Sequence, residues 1–141
     1  MLLLIQYTLI FASVLVLVAL GGCFSEHSGV INLGLEGIMV MGALGGAMAM
    51  KYMSEDAPAF VMIVVVILCA ILVGMLYASL LAVACVNCKA DQTIVGTALN
   101  ILATAAATVI VKALNTAENP DNVSSTMQYV GAKRAFLVNI G

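Results

Sequence analysis

Four long apolar runs dominate this sequence, and each is about as long as the hydrocarbon core of a membrane is thick. They cover residues 2–22, 30–50, 59–86 and 93–114. An α-helix of about 20 residues crosses a core of about 30 Å, because each residue adds about 1.5 Å. A membrane β-barrel would instead show short segments of alternating apolar and polar residues. The pattern therefore predicts an all-α integral membrane protein with about four transmembrane helices.

The composition agrees with a membrane environment. Hydrophobic residues make up 64% of the 141 residues and charged residues 9%, whereas about a quarter of a soluble domain is charged. The net charge is −2 and no basic stripe is visible, so membrane lipid is an expected partner and nucleic acid is not. The four cysteines are expected to be free thiols, because disulfide frameworks belong to short secreted domains.

The apolar runs divide the chain into two regions. Residues 1–114 are predicted to be the transmembrane region, and residues 115–141 a polar loop or tail, interpreted as the start of an incomplete second half. Residues 119–121, with the sequence Asn-Pro-Asp, predict a turn within that tail. The first run resembles a signal peptide only weakly, since no Lys or Arg precedes it, and a membrane span is the preferred interpretation.

The second run carries polar residues, Asn32 and Glu36, beside Gly34 and Gly37. A charged side chain at the centre of a bilayer costs about 2.5–3.5 kcal/mol or more, so Glu36 should face protein or water. If the chain breaks near Gly34, Glu36 lies in the first turn of a helix, where free N–H groups favour negative charge. We therefore predict a helix interrupted between Asn32 and Gly37, with Asn32 and Glu36 lining a solute pathway. The alternative is a buried network that holds the break in place.

Small residues and a polar stripe complete the candidate site. Gly42 and Gly46 have the G-x-x-x-G spacing that lets another helix approach closely, and Gly37 extends this predicted packing surface. In the fourth run, polar residues recur at steps of three and four and so share one helical face: Thr93, Thr97, Asn100, Thr104 and Thr108. They either bond to neighbouring helices and to their own backbone, or line a solvated route. Thr97, Asn100 and Thr104 are the candidate pathway residues of this stripe.

Motifs for catalysis and for metal binding are absent from the sequence. It contains no G-x-x-x-x-G-K-[ST] phosphate loop, no H-E-x-x-H and no G-x-S-x-G, so no catalytic residue is predicted. Cys85 and Cys88 form a single C-x-x-C without a second pair or a nearby histidine, which makes a poor metal site. We therefore expect this chain to bind no metal or other cofactor and to hydrolyse no ATP itself.

Two segments, residues 24–37 and residues 89–100, resemble a known family. This family comprises the permease subunits of bacterial ABC importers for nucleosides and simple sugars, which are related to ribose and branched-chain amino-acid permeases. Residues 24–37, FSEHSGVINLGLEG, look like the family signature FSERSGVVNIGLEG, except that His27 replaces an arginine. Residues 89–100, KADQTIVGTALN, are similar to its KADQVVSGTALN segment. The resemblance covers nearly the whole chain but only the N-terminal half of a typical permease.

The resemblance implies a function and a set of partners. In the family, two permease subunits form the pore, two cytoplasmic ATPase subunits use ATP, and an external lipoprotein captures the solute. It also implies a multi-pass location in the bacterial cytoplasmic membrane, with Asn32 and Glu36 in an interrupted helix near the pathway. The alternatives are a truncated or scaffold membrane protein without transport activity, and an ion-conducting oligomer gated by Glu36.

The membrane orientation stays open, because two features disagree. Basic residues lie mostly on the side that would place the N-terminus in the cytoplasm: Lys51, Lys112, Lys133 and Arg134. Cys23, Cys85 and Cys88 cluster on the opposite side, and reduced thiols favour a cytoplasmic location for that side.

Overall fold

The computed structural model describes residues 2–29, 31–53 and 58–127. These residues form four α-helices, and a π-helical turn, Val83–Asn87, continues the third helix. The helices are α1 (Leu2–His27), α2 (Leu35–Tyr52), α3 (Ala59–Ala82) and α4 (Gln92–Glu118). The described residues contain no strand, and the prediction of an all-α membrane protein is confirmed.

Three of the helical segments are long and apolar enough to cross a membrane: Leu3–His27, Phe60–Asn87 and Gln92–Glu118. The 18-residue helix α2 is not among them, because Glu36 and Lys51 lower its mean hydropathy. It begins at Leu35, because residues 31–34 are not helical and the first helical hydrogen bond joins the Ile38 N–H to the Gly34 carbonyl. The predicted break therefore lies at residues 31–34, between α1 and α2, and Glu36 and Gly37, predicted to belong to it, are already helical.

The helix α1 is apolar on every side and packs little against the other helices. None of its membrane-spanning window is buried. The C-terminal part of α1 approaches the beginning of α2, where a Cβ atom on Gly22 would lie 3.2 Å from Leu35 Cδ1. Hydrocarbon can cover the remaining apolar surface, because lipid tails are as apolar as these side chains.

The most extensive packing joins α2 to α3, which run antiparallel. A Cβ atom on Gly42 would lie 3.2 Å from the Ala70 carbonyl oxygen, and one on Gly46 would lie 3.5 Å from Ala70 Cβ. Gly45 is more crowded still, with Val73 Cγ2 only 2.6 Å from the position of a Cβ. Small residues on α2 therefore let the two backbones come close together.

The helices α2 and α4 run parallel and touch at both ends. Gly37 meets Asn100 at the beginning of α2, and Lys51 meets Glu118 at its end. The Lys51 Nζ atom lies 2.9 Å from Glu118 Oε1, with the two side chains 8% and 63% exposed. This contact is an ion pair without hydrogen-bond geometry, since Nζ has no hydrogen-bond partner among the described residues.

The chain after α4 folds back onto the helix end. Asn115 is only 2% exposed, and its Nδ2 donates to the carbonyl oxygens of Ser124 and Thr126, each at 2.9 Å. The predicted turn at residues 119–121 is confirmed, and the Asn122 N–H donates to the Asn119 carbonyl at 2.9 Å. Residues 128–141, the remainder of the predicted tail, lie outside the described residues.

Candidate functional site

The break before α2 is a short turn built on Asn32. Its side-chain Oδ1 accepts a hydrogen bond from the Gly34 N–H at 3.0 Å. An asparagine that bonds two residues along its own backbone imitates a turn, which explains why the chain is not helical here. Regular helical bonding resumes when the Ile38 N–H donates to the Gly34 carbonyl at 3.1 Å.

The side-chain amide of Asn100, on α4, bonds to both sides of this break. Its Oδ1 accepts a hydrogen bond from the Gly37 N–H at 2.7 Å. Its Nδ2 donates to the Leu33 carbonyl at 2.8 Å. The first N–H groups of a helix have no partner within the helix, and Gly34 has no side chain that could supply one. Asn100 therefore caps α2 from a neighbouring helix.

Two glycines allow this close contact. A Cβ atom on Gly37 would lie 3.0 Å from Asn100 Oδ1 and 3.1 Å from the Leu99 carbonyl oxygen. On α4, a Cβ atom on Gly96 would lie 3.0 Å from the Gly34 nitrogen and 3.1 Å from the Leu33 carbonyl carbon. A side chain at either position would push the break away from α4 and separate Asn100 from its partners.

Tyr77 brings α3 into the same cluster. Its side chain is buried, and its hydroxyl donates to the Leu99 carbonyl at 2.6 Å. Sequence reasoning missed both Tyr77 and Gly96. The signals that could have found them are a hydroxyl-bearing side chain within the most apolar run and a glycine inside a predicted helix.

Glu36 lies in the first turn of α2, where the helix dipole favours its negative charge. Its side chain is exposed, and it has no hydrogen bond or ion pair within the part of the chain that the structure describes. Because a carboxylate exposed to lipid would be costly, this surface of α2 requires water or another polar partner.

The threonines of the polar stripe are also exposed, and the hydroxyls of Thr97, Thr104 and Thr108 bond to their own helix. The Thr97 hydroxyl donates to the carbonyls of Thr93 and Ile94, each at 3.0 Å. The Thr104 hydroxyl lies 2.9 Å from the Ile101 carbonyl. Asn100 thus bonds to a neighbouring segment, whereas these threonines keep only their oxygen lone pairs for an external partner.

Helical spacing relates Glu36 to these threonines. On α2, Gly37 faces α4, while Ile38 faces α3, where its Cγ2 lies 3.8 Å from the position of a Cβ on Gly74. Successive helical residues are about 100° apart around the helix axis. Glu36 and Ile38 therefore lie on either side of Gly37, and Glu36 points away from α3.

The same reasoning applies to α4. Leu99 is bonded to α3 through its carbonyl, and Asn100 contacts α2. Around the axis of α4, Thr97 and Thr104 lie on one side of Asn100 and Leu99 lies on the other. Glu36, Thr97 and Thr104 therefore share one surface of the α2–α4 pair, opposite α3, which we call the open polar face.

Asn32 is separated from this face. It lines a cleft of about 300 Å³ on the α3 side of the break, together with residues that include Leu81, Cys85 and Gln92. The structure thus divides the predicted pathway residues into Glu36, Thr97 and Thr104 on the open polar face, Asn100 at its edge, and Asn32 behind the break. Among the described residues, no group of three or more side chains could hold a metal ion.

Comparisons with known proteins agree on one family. A family profile described as the permease component of the branched-chain amino acid transport system matches residues 4–139. The chain is 41% identical over 105 residues to the guanosine ABC transporter permease protein NupQ of Bacillus subtilis, covering 74% of this chain and 33% of that protein. It is 40% identical over 99 residues to the nucleoside ABC transporter permease protein NupC of Lactococcus lactis, covering 69% and 30% respectively. The chain spans about a third of the length of these curated relatives. No solved structure matches it significantly.

Proposed function

This chain belongs to the family of branched-chain amino acid transport permease components, and from that premise we propose that it forms the pore, or the N-terminal part of the pore, of an ATP-driven importer. Nucleosides or simple sugars are the proposed cargo, since two similar proteins are named guanosine and nucleoside permeases. The chain is a multi-pass protein of the cytoplasmic membrane.

The observation that carries the proposal is the open polar face. Glu36 is exposed on α2, and Thr97 and Thr104 are exposed on α4. The helix α4 is long and apolar enough to span a membrane. Lipid is a poor solvent for a carboxylate, so a water-filled route beside this face explains its exposure. Polar groups in transmembrane helices commonly mark the path of a solute.

The proposed mechanism is alternating access with weak binding. Glu36 and the threonine oxygens accept hydrogen bonds from the hydroxyl and amine groups of the cargo. Asn100 lines the edge of this route, whereas Asn32 lines the separate cleft on the α3 side of the break. Such a sparse set of contacts allows the release that transport requires. Glu36, Thr97, Asn100 and Thr104 remain the proposed pathway residues at the open polar face, and Asn32 remains a proposed one in the separate cleft.

The relatives are named permeases of ABC transporters, which are not enzymes themselves. We propose that ATP hydrolysis belongs to separate ABC ATPase subunits, and that this chain binds no cofactor. A second permease subunit and an extracytoplasmic solute-binding lipoprotein complete the proposed assembly.

Uptake into vesicles that contain the assembled transporter tests the proposal. The Glu36→Leu substitution is expected to abolish uptake while membrane insertion persists. The reason is that Glu36 is the charged residue among the three that define the open polar face. Thr108→Val, on the same helix as the threonines of the face, is expected to retain most of the uptake, since Thr108 lies about 12 Å along α4 from Asn100 and one turn beyond Thr104. Normal uptake by the Glu36→Leu protein would contradict the proposal and reduce the carboxylate to a packing element.

A further inference from the structure

We propose that Asn100 is a positioning residue, which fixes the first turn of α2 and thereby the placement of Glu36 on the open polar face. What Glu36 then does depends on the proposed function. The placement itself depends only on the contacts around the break.

The first step concerns the peptide bond that follows Glu36. The Gly37 N–H belongs to the same planar peptide unit as the Glu36 carbonyl. Asn100 Oδ1 accepts from this N–H at 2.7 Å. A hydrogen bond to this unit therefore restricts the backbone dihedrals of Glu36, which set the direction of its side chain.

The second step concerns the other side of the break. The Leu33 carbonyl receives a hydrogen bond from Asn100 Nδ2 at 2.8 Å. One rigid amide thus fixes the distance between Leu33 and Gly37, and Glu36 lies between them in the chain. A neutral amide suits this position because it supplies a donor and an acceptor in one plane, whereas a leucine supplies neither.

The third step concerns the surroundings. Gly96 lies against the Gly34 nitrogen, so α4 touches the break closely, and the hydrogen bond from the Gly37 N–H to Asn100 is partly buried. An unpaired N–H or carbonyl in apolar surroundings is costly. Loss of the Asn100 amide is therefore expected to release the first turn of α2 and to leave the α2–α3 packing intact.

Amide hydrogen exchange on the full chain in lipid nanodiscs tests the placement. In Asn100→Leu, residues 33–38 are expected to exchange about tenfold faster, which corresponds to about one net hydrogen bond. Residues 63–80 of α3 are expected to keep their original rates. Thr108→Val is the matched control on α4, with unchanged rates in both segments. Gly37→Ala disturbs the same contact without altering Asn100 and is expected to accelerate exchange in residues 33–38 as well.

Two results would overturn the placement: unchanged exchange in residues 33–38, or equal acceleration in α3, which would indicate general destabilisation. Uptake adds a separate readout. Asn100→Leu and Glu36→Gln are expected to lower uptake non-additively, because the amide acts through the carboxylate. Additive losses would contradict the proposal. Normal uptake by Glu36→Leu alone would instead overturn the proposed function, while the exchange measurement still decides the placement.

Discussion

The glycines at the break show how one missing side chain determines which groups can meet. Gly96 brings α4 so close to Gly34 and Leu33 that Asn100 reaches both sides of the turn. Interhelical contacts of this kind depend on small residues, because membrane helices lack a hydrophobic driving force towards one another. Gly21 of α1 is the opposite case, with nothing within 4 Å of the position of a Cβ.

This contrast predicts opposite responses to added side chains. Gly96→Val is expected to lower the free energy of unfolding by about 1–3 kcal/mol, because the new atoms overlap the backbone of the break. Gly21→Ala is expected to be neutral or to stabilise by up to about 1 kcal/mol through helix propensity. Denaturant unfolding in detergent micelles measures both. Equal effects of the two substitutions would contradict the close approach at Gly96.

At the scale of the element, α4 begins at a defined cap, which fixes where the polar stripe starts. Asp91 Oδ1 accepts hydrogen bonds from the N–H groups of Thr93 at 2.8 Å and Ile94 at 3.3 Å. The preceding Lys89 has a φ of 51°, so the chain turns sharply between the π-helical turn and α4.

Removal of this cap is expected to destabilise the start of α4. Asp91→Ala should lower the free energy of unfolding by about 1 kcal/mol, whereas Asp91→Asn should retain most of it, because asparagine caps as well as aspartate. Hydrogen exchange of residues 92–96 locates the effect. Equal stability of the alanine and asparagine variants would show that the side-chain cap contributes nothing.

The helices and the break could be predicted from the sequence because both depend on local features. Continuous apolar runs determine the helices, and Asn32 and Gly34 lie in the non-helical segment before α2. The partners of Asn100 could not be predicted, because Gly37 and Leu33 lie 63 and 67 positions away. For the same reason Asn32 and Glu36, four positions apart, could not be assigned to opposite sides of the break. Those positions depend on how α3 and α4 pack around α2.

At the scale of the molecule, α2 is held between α3 and α4 and is attached to α4 at both ends. The Asn100 contact joins the beginning of α2 to α4, and the Lys51–Glu118 ion pair joins its end. Only a parallel arrangement of α2 and α4 satisfies both contacts. This arrangement puts Glu36 beside the threonines over the length of the open polar face.

A charge exchange tests the parallel arrangement. Glu118→Lys is expected to destabilise the protein, because it places a cation beside the ammonium of Lys51. The double variant Lys51→Glu with Glu118→Lys is expected to recover roughly 0.5–1 kcal/mol, a modest value since Glu118 is 63% exposed. Thermal unfolding of the four proteins gives the coupling energy. A coupling of zero would contradict the contact at this end.

Thiol modification at position 36 tests the central claim, that Glu36 faces a water-filled route, most directly. The measurement uses the assembled transporter with the four native cysteines replaced, and it compares Glu36→Cys with Leu15→Cys on the lipid-exposed surface of α1. A membrane-impermeant maleimide is expected to modify position 36 and to leave position 15 unmodified. Failure to modify position 36 in every state of the transport cycle would contradict the account.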